Sequence, residues 1–200
     1  MNRTSIVGLL AFAAMTTVAL VGAISASAAK FTASAVGASI SETTLENYAF
    51  TITGSSIQCT TNTVTGTTEG LETTTVKGVL SFSGCTAFGL PATVINNNCE
   101  FTASASGEGS MVGEKCEISV TASNIFGKCK GNAKPQTKTN AGSIANGEGD
   151  VKVTASLSGI AAEVTESTGV CPLTVGKHTN ATLTGKSTVQ ASGATIAWDA

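Results

Sequence analysis

The amino-acid sequence predicts an all-β protein, an antiparallel β-sandwich of the Ig-like or jelly-roll-like kind, stapled by disulfides and preceded by a signal peptide. Three observations carry this reading. Short runs rich in Thr, Val, Ile and Phe recur along the chain, each closed by Gly, Asn or Ser, which is how strands joined by tight turns read. Six cysteines all lie beyond residue 29, an even number of the kind found in an oxidising compartment. Helical periodicity sustained over more than two turns is absent from the same region.

Residues 1–29 read as the signal peptide: Asn2 and Arg3 form a short positive start, Ile6 to Ile24 an apolar run, and Ala26-Ser27-Ala28 a small-residue cleavage pattern. The apolar run is long enough to rival this as an uncleaved anchor across ~30 Å of hydrocarbon, but its small residues favour cleavage before Ala29 or Lys30. Residues 30–200 are then expected to form a single β-sandwich domain, secreted and extracellular, with no membrane association after signal cleavage.

Strands are predicted at Phe31 to Val36, Asn47 to Thr53, Ser56 to Thr65, Thr73 to Ser83, Ala92 to Ile95, Cys99 to Ser106, Cys116 to Ala122, Val151 to Leu157, Ala161 to Thr165, Thr179 to Ala191 and Thr195 to Trp198. Alternation is clearest where Phe50 and Ile52 interleave with Ala49, Thr51 and Thr53, as in a sheet with one wet face. One short helix, or else a polar loop, is expected near Ser41 to Asn47. Gly131 to Asp150, rich in Gly, Asn and Lys with almost nothing to bury, reads as a long exposed loop.

Cys59, Cys85, Cys99, Cys116, Cys129 and Cys171 are read as three structural disulfides. Zinc ligands come in closely spaced pairs, whereas these cysteines are far apart and accompanied by one His. Hairpin proximity pairs Cys99 with Cys116 across Gly107-Glu108-Gly109 and leaves the other four unresolved. The chain has nine aromatics (seven Phe, one Tyr, one Trp) and 12% charged residues. Cross-links of this kind, each contributing about 2–4 kcal/mol, would offset that shortage of bulk, with Phe50, Phe82, Phe88, Phe101 and Phe126 as the large anchors.

The same scarcity restricts function. Arg3 is the only Arg, leaving ten Lys against thirteen carboxylates after residue 29. Without Arg forks or stacking aromatics, no nucleic-acid partner is expected. A nucleophilic enzyme would need His178 as base, and nothing near it in sequence orients it. Asp150 and Asp199, paired with each other or with Glu residues, lack the aromatic platform of a glycosidase, and Glu108 with Glu148 and Asp150 lacks the carboxylate ladder of a calcium loop. No catalytic residues, no metal and no cofactor are therefore assigned.

The run Ser83-Gly84-Cys85-Thr86-Ala87-Phe88-Gly89-Leu90-Pro91-Ala92-Thr93-Val94, followed by Asn98-Cys99-Glu100-Phe101, resembles the core motif of a family of secreted actinobacterial proteins to which no activity is assigned. The likeness extends sparsely to Cys59, to Cys129 with Pro135-Gln136, to Cys171 and to Thr195-Ile196-Ala197-Trp198. It implies secretion and a disulfide-bonded β fold, and carries no functional residues. The expected function is a non-catalytic structural or adhesive module whose partner is a cell surface or a second copy of itself. The alternative is a secreted binding protein for a small apolar ligand, with Phe88-Gly89-Leu90-Pro91 lining its mouth.

Overall fold

The computed structural model describes residues 29–199, so the expected signal peptide, apart from its last residue, lies outside the described residues. Fifteen strands and no helix make up the described chain. They are β1 (Lys30–Ala33), β2 (Ser39–Ile52), β3 (Ser55–Thr67), β4 (Glu72–Thr73), β5 (Thr75–Ala87), β6 (Leu90–Asn97), β7 (Glu100–Ser104) and β8 (Gly109–Val112), followed by β9 (Glu117–Asn124), β10 (Gly127–Ala133), β11 (Gln136–Lys138), β12 (Gly142–Asn146), β13 (Val151–Gly169), β14 (Gly176–Ala191) and β15 (Ile196–Asp199).

The topology turns on β5. Its C-terminal end pairs with β3 on one edge, Cys85 opposite Cys59, and with β6 on the other, Ala87 opposite Leu90. From β6 the antiparallel ladder continues through β9, β10, β13, β14 and β2 back to β3. The ring β5-β3-β2-β14-β13-β10-β9-β6 is therefore a closed eight-stranded barrel. This corrects the expected sandwich: the chain is all-β and disulfide-bonded, but its strands close on themselves and leave no free edges in the ring.

Bulges supply the bending that closure requires. Gly84 sits at φ 59 within β5, pressed against the Thr60 hydroxyl of β3 so closely that a Cβ would clash. On either side of this point the inward positions change parity, from Cys59, Cys85 and Ala87 to Asn62, Phe82 and Leu80. Register also shifts in β13 between Leu157 and Ile160 and in β10 between Lys130 and Gly131.

Beyond the ring β5 forks. Its first residues, Thr75 to Gly78, pair with β7, β7 pairs with β8, β8 with β11, and β12 lies on the start of β13. At the fork the Asn96 side chain donates to the carbonyls of Leu80 and Cys99, both at 2.9 Å, and accepts from the Cys99 amide at 2.8 Å. The Cys99–Cys116 disulfide lies beside it, as hairpin proximity predicts. Cys59–Cys85 staples β3 to β5, and Cys129–Cys171 ties β10 to the β13–β14 connection.

Further elements pack at both ends of the barrel. A small sheet in the order β15-β1-β4 carries the buried Phe31 and Ile196, and Ile196 joins Val151 and Ala191 in a local core. At the opposite end Leu173, in the β13–β14 connection, packs on Ile52, Ile160 and Val164.

Four further expectations are corrected. Ser41 to Asn47 is strand, not helix or loop. It lies inside β2, where pairing with β14 takes one extra β2 residue between Thr44 and Glu46 and another between Glu46 and Ala49, so the broken alternation hid the strand. Residues 131–150 are not one exposed loop: they hold the end of β10, all of β11 and all of β12, polar because these strands bury few side chains. Val151 to Leu157 and Ala161 to Thr165 are parts of one strand, interrupted by the bulge rather than by a turn. Phe126 is no core anchor, being 67% exposed at the β9–β10 turn.

Candidate functional site

A half-open cavity of about 340 Å³ runs from the barrel interior out to the strands beyond the ring, β7, β8, β11 and β12. An eight-stranded barrel is just wide enough to be filled by its own inward side chains or to hold one small ligand. Here many inward positions are small: Ala87, Ala122, Gly131, Ala133, Ala155 and Ala162 all line the space. The larger residues facing it are apolar, among them Phe50, Phe82, Phe88, Phe101, Leu157 and Leu183. Of the five expected aromatic anchors, Phe50, Phe88 and Phe101 pack against core clusters, and together with Phe82 they also line the cavity.

Phe88 owes its place to the β5–β6 turn. Phe88 at φ 57 and Gly89 at φ 76 form the two-residue turn whose twist matches the flanking strands. The turn brings Phe88 against both apolar clusters at that end of the barrel. A non-Gly residue held at positive φ is a strained choice, and here its ring caps the cavity. Leu90 packs into the same cluster.

Polar residues also belong to the wall, among them Lys77, Lys130, Lys138, Glu108, Asn132 and Gln136, but one group of them is bonded side chain to side chain. Glu42 and Tyr48 come from β2, Asn62 from β3 and Ser187 from β14, and all four face the cavity. The Tyr48 hydroxyl donates to Glu42 Oε1 at 2.9 Å and lies 3.0 Å from Ser187 Oγ. Asn62 Nδ2 donates to Glu42 Oε2 at 3.1 Å. The β2 bulge makes this possible. Where the ladder with β3 is interrupted, Thr44 Oγ1 accepts from the Asn62 amide at 2.8 Å and donates to its carbonyl at 3.1 Å. Gly185 of β14 lies flat under the Tyr48 ring, where a Cβ would come within 2.7 Å of Cγ.

Electrostatically the cluster is lopsided. Burial pushes the Glu42 carboxyl above the usual carboxylate range, against the pull of hydrogen bonds from Ser187, Tyr48 and Asn62. Burial, and then the neighbouring Glu42 charge, raise the Tyr48 phenol so that it stays protonated and donating. Asn62 is 1% exposed, and its Oδ1 has no hydrogen-bond partner.

Of the titratable residues singled out in the sequence, Glu108 lines the cavity, and the others fall elsewhere. His178 pairs opposite Ala162 near one end of β14, its Nε2 3.0 Å from the Thr174 carbonyl oxygen. Glu148 and Asp150 sit at the β12–β13 turn, next to Val151, which pairs with Val189 near the other end of β14. They do not converge. Among the described residues no group of three or more His, Cys, Asp or Glu side chains gathers as metal ligands. All six cysteines are consumed in disulfides, consistent with an extracellular protein.

Glu42, Tyr48, Asn62 and Ser187 escape sequence reading because they are scattered over three strands. The available signal was local: Tyr48 and Glu42 share the parity of Phe50 and Ile52, and the two β2 bulges between them cancel so that all four stay on one face. Fold and site together define a closed eight-stranded barrel with a largely apolar interior and one polar anchor. Comparison with protein-family models, curated proteins and solved structures gives no match.

Proposed function

We propose that the protein is a disulfide-stapled extracellular binding protein that carries a small apolar ligand inside its barrel. The cavity supports this reading through its cost when empty. At roughly 24 cal/mol per Å³, a fully enclosed apolar void of 340 Å³ would cost about 8 kcal/mol; half open, this one costs less, but still a sizeable share of the stability of an ordinary domain. Water is a poor filler where walls offer few partners, so an apolar occupant recovers most of that cost. Size and lining also match the usual small-molecule site, an apolar space with a few convergent polar groups. Native mass spectrometry of protein taken from its source should show a bound small molecule. An empty protein whose melting temperature no apolar compound raises would overturn the reading.

The second reading, a structural or adhesive module, draws on one observation. Ile125 is 91% and Phe126 67% exposed at the β9–β10 tip, and Val170, at the adjoining end of β13, is 49% exposed. Such a tip suits self-association or attachment to a surface. Phe126→Ser with Ile125→Ser should then abolish concentration-dependent association in sedimentation velocity. A protein that is monomeric at every concentration and does not adhere to cells would remove this role.

A further inference from the structure

We propose that the cluster of Glu42, Tyr48, Asn62 and Ser187 is a recognition site for the protonated amine of a lipophilic ligand whose hydrocarbon part fills the cavity. The proposal rests on reading the barrel as a carrier of apolar molecules and adds the chemistry of the ligand's head.

The direction of each hydrogen bond decides the sign. Tyr48 spends its only O–H on Glu42 Oε1, and the Ser187 hydroxyl, 3.0 Å from the Tyr48 oxygen and within reach of Glu42, spends its one hydrogen on these two. Asn62 spends one amide hydrogen on Glu42 Oε2 and its backbone N–H on Thr44. What the cluster still offers is mostly acceptors: the remaining lone pairs of the Glu42 carboxylate and the orphaned, fully buried Oδ1 of Asn62. A buried acceptor without a donor costs about 1–3 kcal/mol by general experience, so the fold retains a defect that a donor-bearing ligand would cure.

Charge narrows the choice from any donor to a cation. Among the described residues no Lys or His nitrogen forms an ion pair with Glu42. Three lysines belong to the cavity wall, and each is engaged elsewhere. Lys77 Nζ lies 3.3 Å from Glu69, Lys130 Nζ 3.9 Å from Glu166, and Lys138 Nζ donates to the Gly159 carbonyl at 2.6 Å. When ionised, the half-buried Glu42 carboxylate has no counter-charge beside it, which is costly. An ammonium has three donors, enough for Glu42 and, once the Asn62 side chain turns toward it, for Oδ1 as well, and it supplies the missing charge. A hydroxyl could satisfy one acceptor and leaves the charge unpaired; a carboxylate would be repelled. Burial, which favours the protonated form of Glu42 in the empty protein, is opposed once an ammonium stands beside it.

Size sets the rest of the ligand. A 150 Å³ apolar cavity holds benzene, so this one accommodates about twelve to fourteen non-hydrogen atoms. Dodecylamine, dodecanol and dodecanoate form a matched set.

The test is isothermal titration of the full, oxidised protein at neutral pH with each probe below its micelle concentration. Dodecylamine is expected to bind at least about tenfold more tightly than dodecanol, with dodecanoate weakest, and Glu42→Gln to erase the amine preference while leaving dodecanol affinity within about twofold. Should Glu42→Gln not fold, the side-chain carboxyl carbon of Glu42, observed by NMR in the unaltered protein, serves instead. It should shift with the amine and not with the alcohol. Equal binding of all three probes, or a carboxyl signal indifferent to the amine, overturns this proposal and leaves the carrier reading standing. Failure of every probe to bind overturns both.

Discussion

Glu42 is a carboxylate facing an apolar space, and its stability consequence has a definite sign. Its folded pKa lies above its unfolded value, the ordinary one being 4.5. A group shifted that way stabilises the fold most when protonated, and the benefit is lost as pH rises from the ordinary value through the folded one. The empty protein should therefore lose melting temperature over that rise. Glu42→Gln, which cannot ionise, should flatten the profile when the two proteins are compared by calorimetry across acidic to neutral pH. Gly185 makes a second prediction. Tyr48 rests on it at a distance that excludes a Cβ, so Gly185→Ala must push the ring and its hydroxyl off Glu42. A loss of roughly 1–3 kcal/mol in chemical denaturation, with weaker amine binding, is expected. Unchanged stability would mean that the ring has room to move.

Among the elements, the β13–β14 connection stands out because a single disulfide holds it over one end of the barrel. Cys129–Cys171 closes the longest of the three cross-linked loops, 42 residues against 26 and 17. In the chain-entropy account its removal should cost about 4 kcal/mol, only slightly more than the others. Its functional effect should differ more. With Cys129→Ala and Cys171→Ala, Leu173 loses the tether that keeps it on Ile52 and Ile160, and stopped-flow exchange of bound probe should accelerate. Removing Cys99–Cys116 should lower stability without that acceleration, because it braces the β5 fork and not an end of the barrel. The Asn96 bonds across the fork share that bracing, since they satisfy carbonyls that neither β6 nor β7 reaches.

For the whole molecule, the balance between core and cavity makes the last prediction. A barrel that is short of bulk inside should gain from filling. Leu183→Phe adds ring volume to the cavity wall, and it should hold or raise the melting temperature of the empty protein while weakening dodecanol binding by about tenfold or more. If the same substitution left binding intact, the probe would have to sit elsewhere. Surface ion pairs such as Lys186–Glu46, at 2.6 Å and exposed, contribute little to this balance, so salt should move the melting temperature only slightly.

Local composition by itself determined that the chain is β-structured and disulfide-bonded. Thr, Val and Ile alternating between turn residues have one low-cost backbone solution, and six cysteines without paired spacing leave few alternatives. It also held the Cys99–Cys116 pairing, because that link spans neighbouring hairpins. Three things were decided only by tertiary structure. Closure into a barrel depends on β5 pairing with β3 and β6 at once, a contact between distant segments that no local pattern encodes. The course of β2 through Ser41 to Asn47 depends on two bulges whose extra residues break the alternation that would reveal a strand. The cavity and its Glu42 cluster exist because small residues on several strands face one axis, while Glu42, Tyr48, Asn62 and Ser187 reach it from three strands, with Tyr48 and Ser187 meeting across 139 residues. The low aromatic content was plain in the composition, but whether the missing bulk leaves a weak core or a binding cavity is a matter of which way each side chain points, and closure of the sheet sets that.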